Sequence, residues 1–71
     1  MNNISEGFLR GRDREFRQFL RVAAGSNGEV RSLFHAAAGR DYLTPVEAAE
    51  LIEASNAIGR MIRRLSETLK P

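Results

Sequence analysis

The chain contains no cysteine, one lysine, one histidine and two prolines in 71 residues. Without thiols, disulfide staples and thiolate metal sites are excluded. No apolar run reaches the roughly 18 residues of a membrane span, and no basic-then-apolar leader follows Met1. The expected setting is therefore cytoplasmic, with no membrane partner. Strand-forming residues are sparse and no segment alternates with period two, so the expected class is all-α. Catalytic groupings are missing as well. His35, the lone histidine, has no carboxylate or thiol partner at ligand spacing and falls on the face expected to meet solvent. Ser5-Glu6 and Asp41-Tyr42 lack a base beside an activated nucleophile. Gly7, Gly11, Gly25 and Gly28 follow no strand and precede no Gly-Lys-Ser/Thr, so they form no phosphate loop. The expectation is a non-enzyme with no cofactor, no metal and no small-molecule substrate.

What is present is helical. Phe16, Phe19, Ala23, Ser26, Val30, Leu33 and Ala37 keep one heptad phase, flanked by Leu20 and Phe34. A second series runs Ala48, Leu51, Ser55, Ile58, Ile62, Leu65 and Leu69, flanked by Ile52. A period near 3.5 gives shallow, left-handed packing. These spacings predict a first long helix over 12–39, a turn over 40–43 and a second long helix over 44–70. Residues 1–11 would form a short stub and turn, ended at Gly11. Leu33 and Ile58 are expected in the hairpin core. Gly25-Ser26-Asn27-Gly28 reads locally as a loop, at about 1 kcal/mol per helical glycine, yet the heptad phase crosses it unbroken. One helix, bent or straight, is predicted there. Gly39 is expected to close the first helix in the left-handed conformation. Thr44-Pro45-Val46-Glu47 spells an N-cap, a proline at the first helical position and a capping-box glutamate. So short a connection makes the pair an antiparallel hairpin.

A 71-residue chain lies near the size at which one core barely offsets chain entropy. The apolar arc is also broad, since Ala24, Ala38, Ala49, Ala54, Ala57, Val22 and Met61 widen it. An arc wider than one neighbour can cover implies a second neighbour. Self-association, at least to a dimer, is expected.

The opening third adds a resemblance. Asn3-Ile4-Ser5-Glu6-Gly7-Phe8, then Glu15-Phe16 with Phe19-Leu20, then Ala23, Gly25-Ser26 and Glu29 resemble the small bacterial family of 23S rRNA intervening-sequence proteins. That family includes the accessory variability determinant proteins of diversity-generating retroelements. The resemblance implies a four-helix bundle, ring-like homo-oligomers and a non-catalytic binding role. It also implies that the family's first helix and most of its second would lie upstream of Met1, so that this hairpin completes a bundle by self-association. In the retroelement branch, basic surface residues engage nucleic acid and a reverse transcriptase.

Charge supplies the candidate site. The net charge of +2 is too small to imply a nucleic-acid partner, but the arginines are segregated. Arg10, Arg14, Arg17 and Arg21 recur at spacings of four, three and four, and Arg60, Arg63 and Arg64 follow on the second helix. An antiparallel hairpin brings both groups to the end away from the turn, while Glu47, Glu50 and Glu53 lie nearer it. Residues 8–22 and 60–71 carry nine basic and three acidic side chains, the remainder two and six. All seven arginines are expected to face outward and to contact RNA, DNA or a protein that handles them. Ordinary solvated helix faces, in a purely structural protein, are the alternative. Phe16 and Phe19 are assigned to the core stripe, not to base stacking.

Overall fold

The computed structural model describes residues 3–69, with side chains from residue 11 onward. Two antiparallel helices, α1 (Asn3–Gly39) and α2 (Pro45–Thr68), form an all-α hairpin measuring 58 × 15 × 12 Å. The expected stub is no separate element, because α1 runs through Gly11 without a break. No glycine among the described residues takes a positive φ. A helical glycine costs about 1 kcal/mol, less than stopping the helix where nothing caps it. The same holds at Gly25-Ser26-Asn27-Gly28, which lie inside one continuous helix. The second helix is shorter at its end than expected: Thr68 is its last residue and Leu69 its C-cap. Lys70 lies outside the described residues.

The turn corrects one expectation and meets another. Gly39 is still helical, and the left-handed residue is Asp41, with φ 63°. The Tyr42 N–H donates to the Ala37 carbonyl at 2.9 Å and the Asp41 N–H to Ala38 at 3.1 Å. This is a Schellman closure, which satisfies the orphan carbonyls of the last turn. Aspartate tolerates the left-handed region better than most residues, so α1 ends at Gly39 as expected while the left-handed residue falls two positions later. At the start of α2, Thr44 Oγ1 accepts from the Glu47 N–H at 3.1 Å, while the Thr44 N–H donates to Glu47 Oε1 at 2.8 Å. The capping box is as expected, with Pro45 at N1. The Thr44 N–H foremost, and the Thr44 hydroxyl after it, hold the Glu47 carboxyl below its ordinary 4.5. A folded value below the unfolded one adds stability that is present above the ordinary carboxylate range. That contribution is lost as pH falls through the folded value.

The seam between the helices is not the expected one. On α1, Asp13, Arg17, Leu20, Asn27, Arg31, Phe34 and Ala38 are buried or half-buried. They share one 3–4 spacing, rotated one residue from the apolar series Phe16 to Ala37. On α2 the covered residues include Ala48, Ile52, Ser55, Gly59, Ile62 and Ser66, with Asn56 and Ala57 half-buried beside them. Leu20, at 6% exposure, and Ser55, at 3%, are among the most enclosed residues. Leu33 is 65% exposed and Ile58 45%, so neither sits in the hairpin core. The flanking Leu20 and Phe34 pack instead. Asn27 explains the rotation: its amide meets Ser55 inside the seam (below), and turning the apolar stripe inward would pull that partner away. His35 is exposed, as expected.

Two tests follow from this geometry. Asp41→Gly should raise stability by about 1 kcal/mol, because it removes the left-handed cost and a carboxylate from the negative end of α1. Asp41→Val should lower it, and urea unfolding would order the three proteins. In the same assay on dilute protein, Leu20→Ala should cost about 2–4 kcal/mol. Leu33→Ala should cost under about 1 kcal/mol.

Candidate nucleic-acid interface

The middle of the seam is polar. Asn27 Nδ2 donates to the Ser55 carbonyl at 2.9 Å, and Ser55 Oγ donates to Asn27 Oδ1 at 2.9 Å. Arg31 Nη1 donates to Asn56 Oδ1 at 3.1 Å and, at greater length, to Ser55 Oγ at 3.4 Å. Among the described residues no buried side-chain nitrogen or oxygen lacks a partner. Gly59 lies against this layer; a methyl there would sit 3.5 Å from Asn27 Nδ2, an ordinary contact. The layer works as a register lock. Sliding α2 by one turn, about 5.4 Å, would strand each of these groups, at about 1–3 kcal/mol for each buried polar group left unpaired.

The seam divides the hairpin into two unlike flanks. On one flank the apolar series stays uncovered, with Phe16, Phe19, Val30 and Leu33 of α1 and Leu51, Ile58 and Leu65 of α2 all exposed. On the other, an open groove of about 510 Å³ is lined by Arg17, Arg21 and Arg31 of α1 and Arg60 and Arg63 of α2. Asn27, Asn56 and Ser66 complete its polar lining, and no lining residue is a carboxylate. Heptad geometry accounts for the convergence. Residues following the seam position on one helix and those following it on an antiparallel partner fall on the same side.

Four of the seven expected arginines thus meet in one groove. Arg17 is half-buried there, not outward as expected, because its position belongs to the seam set. Arg21, Arg60 and Arg63 are exposed at the rim. Arg21 Nη1 donates to Gln18 Oε1 at 2.9 Å, and Arg60 Nη2 pairs with Glu53 Oε1 at 3.0 Å. Both Arg60 and Glu53 are well exposed, so the pair stabilises by at most about 1 kcal/mol. Arg14 and Arg64 are exposed and lie outside the lining. The Arg10 side chain lies outside the described residues. Arg31, Asn27 and Asn56 were missed by the sequence reading. The available signal was their spacing, since Leu20, Asn27 and Phe34 are seven apart, as are Arg17, Ala24 and Arg31. No group of histidine, aspartate or glutamate able to hold a metal occurs among the described residues. No helix among them is long and apolar enough to cross a membrane.

Fold and site together define a small all-α hairpin with an arginine-lined face and an uncovered apolar face. The family model of the 23S rRNA-intervening sequence proteins matches residues 1–64, and the chain belongs to that family. No curated protein and no solved structure matches it.

The register lock is testable by a double-mutant cycle. Asn27→Ala and Ser55→Ala should each cost about 1–3 kcal/mol by stranding the other partner. The double variant should cost less than their sum, with a coupling of about 0.5–3 kcal/mol. Additive costs in urea unfolding would dissolve the pairing.

Proposed function

We propose that this chain is a non-catalytic, self-associating helical-bundle protein that binds RNA or DNA through its arginine-lined face. The observation that carries the reading is the convergence of arginines from both helices on one groove, on the flank opposite the uncovered apolar series. A second copy of the chain laid on the apolar flank would bury Phe19, Leu33 and Ile58 and leave the arginines outward. Repeating the groove by symmetry would extend the basic surface. Guanidiniums spread along a helix pair read phosphate backbone, not base edges. Membership in the family is consistent with this reading and adds no residue-level role.

Binding should weaken steeply with salt, because each neutralised phosphate releases condensed counterion, and it should be nearly indifferent to sequence. Fluorescence anisotropy with structured RNA and with duplex DNA, at two salt concentrations, measures both properties. Arg21→Glu with Arg63→Glu should abolish binding while circular dichroism stays helical, since both side chains are exposed. Glu50→Gln should leave binding intact. Light scattering coupled to size exclusion should report at least a dimer at about 10 µM and above, where modest interfaces form. Leu33→Glu should shift the chain toward monomer. Absence of binding at low salt would leave a purely structural helical protein, the reading favoured by ordinary rim contacts such as Arg60 with Glu53.

A further inference from the structure

The groove carries more positive charge than its own residues neutralise. Five guanidiniums line it without a carboxylate among them. Arg60 is paired to Glu53, which lies outside the lining, and Arg17 has a partner as well. Arg31 is the unusual member. It is half-buried, and its hydrogen bonds go to two neutral oxygens, Asn56 Oδ1 and Ser55 Oγ. Both bonds use Nη1, which leaves the Nε–Nη2 edge free. That edge presents two parallel donors at the spacing of two oxygens on one phosphoryl group. Partial burial removes some of the water that would otherwise solvate the charge. The groove volume of about 510 Å³ falls within the range of small-molecule sites, roughly 300–1,000 Å³, and exceeds the needs of one phosphate.

We infer that this groove is a binding site for a phosphorylated anion with at least two linked phosphoryl groups. Arg31 and Arg17 hold the anion from the half-buried wall, and Arg21, Arg60 and Arg63 close on it from the rim. The shared chemistry is the phosphoryl oxygen; its source is either a small phosphorylated molecule or consecutive phosphates of a nucleic-acid strand. The site goes beyond the nucleic-acid reading, because a small anion can occupy it whether or not a polymer binds. Its ligand bridges α1 and α2 and therefore binds the folded hairpin but not the unfolded chain. Stability should rise with the logarithm of ligand concentration.

The test uses the full chain in HEPES at constant ionic strength, with thermal unfolding followed by circular dichroism. Pyrophosphate should raise the midpoint, by about 10–20 °C at a hundredfold excess over Kd, with inorganic phosphate weaker and chloride without effect. Arg31→Gln should weaken pyrophosphate at least tenfold. Arg40→Gln, which removes the same charge at the turn, should leave the affinity unchanged. Arg63→Gln, at the exposed rim, should also weaken binding and keeps the test sound if Arg31→Gln fails to fold. Phosphorus NMR line broadening of pyrophosphate supplies a readout independent of melting. Equal shifts in chloride and pyrophosphate would overturn the site. So would an Arg40→Gln loss as large as that of Arg31→Gln, which would mean diffuse attraction to a basic surface. A thymidine oligonucleotide with hydroxyl ends separates the sources. Displacement of pyrophosphate assigns the groove to backbone phosphates. Pyrophosphate binding without displacement assigns it to a small phosphorylated molecule, and stands even if the chain binds no nucleic acid.

Discussion

The reciprocal hydrogen bonds between Asn27 and Ser55 are the interaction on which the rest of this hairpin depends. Apolar contact between two helices is non-directional and tolerates sliding and rotation. An amide and a hydroxyl enclosed between helices tolerate neither, because each must find its partner. Fixing that pair fixes both the axial register and the rotation of α1. It determines that Leu20 and Phe34 turn inward while Phe16, Phe19 and Leu33 remain outside. A polar layer used for specificity rather than net stability is a known device of helical assemblies. Here it selects which of two overlapping heptads becomes the seam.

That selection produces a molecule with two unlike faces. The covered seam contains a few apolar side chains, Leu20, Phe34, Ala48, Ile52 and Ile62, together with small and polar residues. Most of the larger apolar side chains lie on the open flank. A chain this short would ordinarily place its best apolar residues in its own core. Their position on the surface means that burial of this face depends on contact with something other than the hairpin. The opposite flank follows the reverse logic. Its arginines are held near one another by the same register, despite mutual repulsion, and their stems share the groove wall with Leu20 and Ile62. Long basic side chains do this readily, since the methylene stem packs while the head group stays wet.

Much of this was legible before any coordinates. The helical period, the turn, the capping box spelled by Thr44 and Glu47 and the gathering of arginines all come from local rules that operate within a few residues. The continuous helix through Gly25-Gly28 was readable from heptad phase, which outranked propensity. The errors share a cause. Assigning Leu33 and Ile58 to the core assumed that the most apolar stripe faces the nearest helix. That choice is settled by Asn27 and Ser55, 28 residues apart, whose complementarity shows only when the helices are set side by side. Arg31 was overlooked for the same reason, since it lies off the apolar stripe and acquires meaning from Asn56 across the seam. The helix does end at Gly39, but its left-handed residue was misplaced: glycine is the commonest one, yet Asp41 supplies that conformation two positions later.

The two helices are unequal, 37 residues against 24. At about 1.5 Å per residue α1 outreaches its partner by roughly 20 Å at the end away from the turn. The turn and the polar layer prevent α2 from sliding to shorten that difference. Backbone amides near the turn are protected by packing of one helix on the other, whereas the overhang runs past the end of α2. Hydrogen exchange along α1 should therefore be graded within one uninterrupted helix, slower toward Gly39 and faster toward Asn3. Any neighbour that lies along the overhang would flatten that gradient, so the exchange profile of a single helix records whether the hairpin has company.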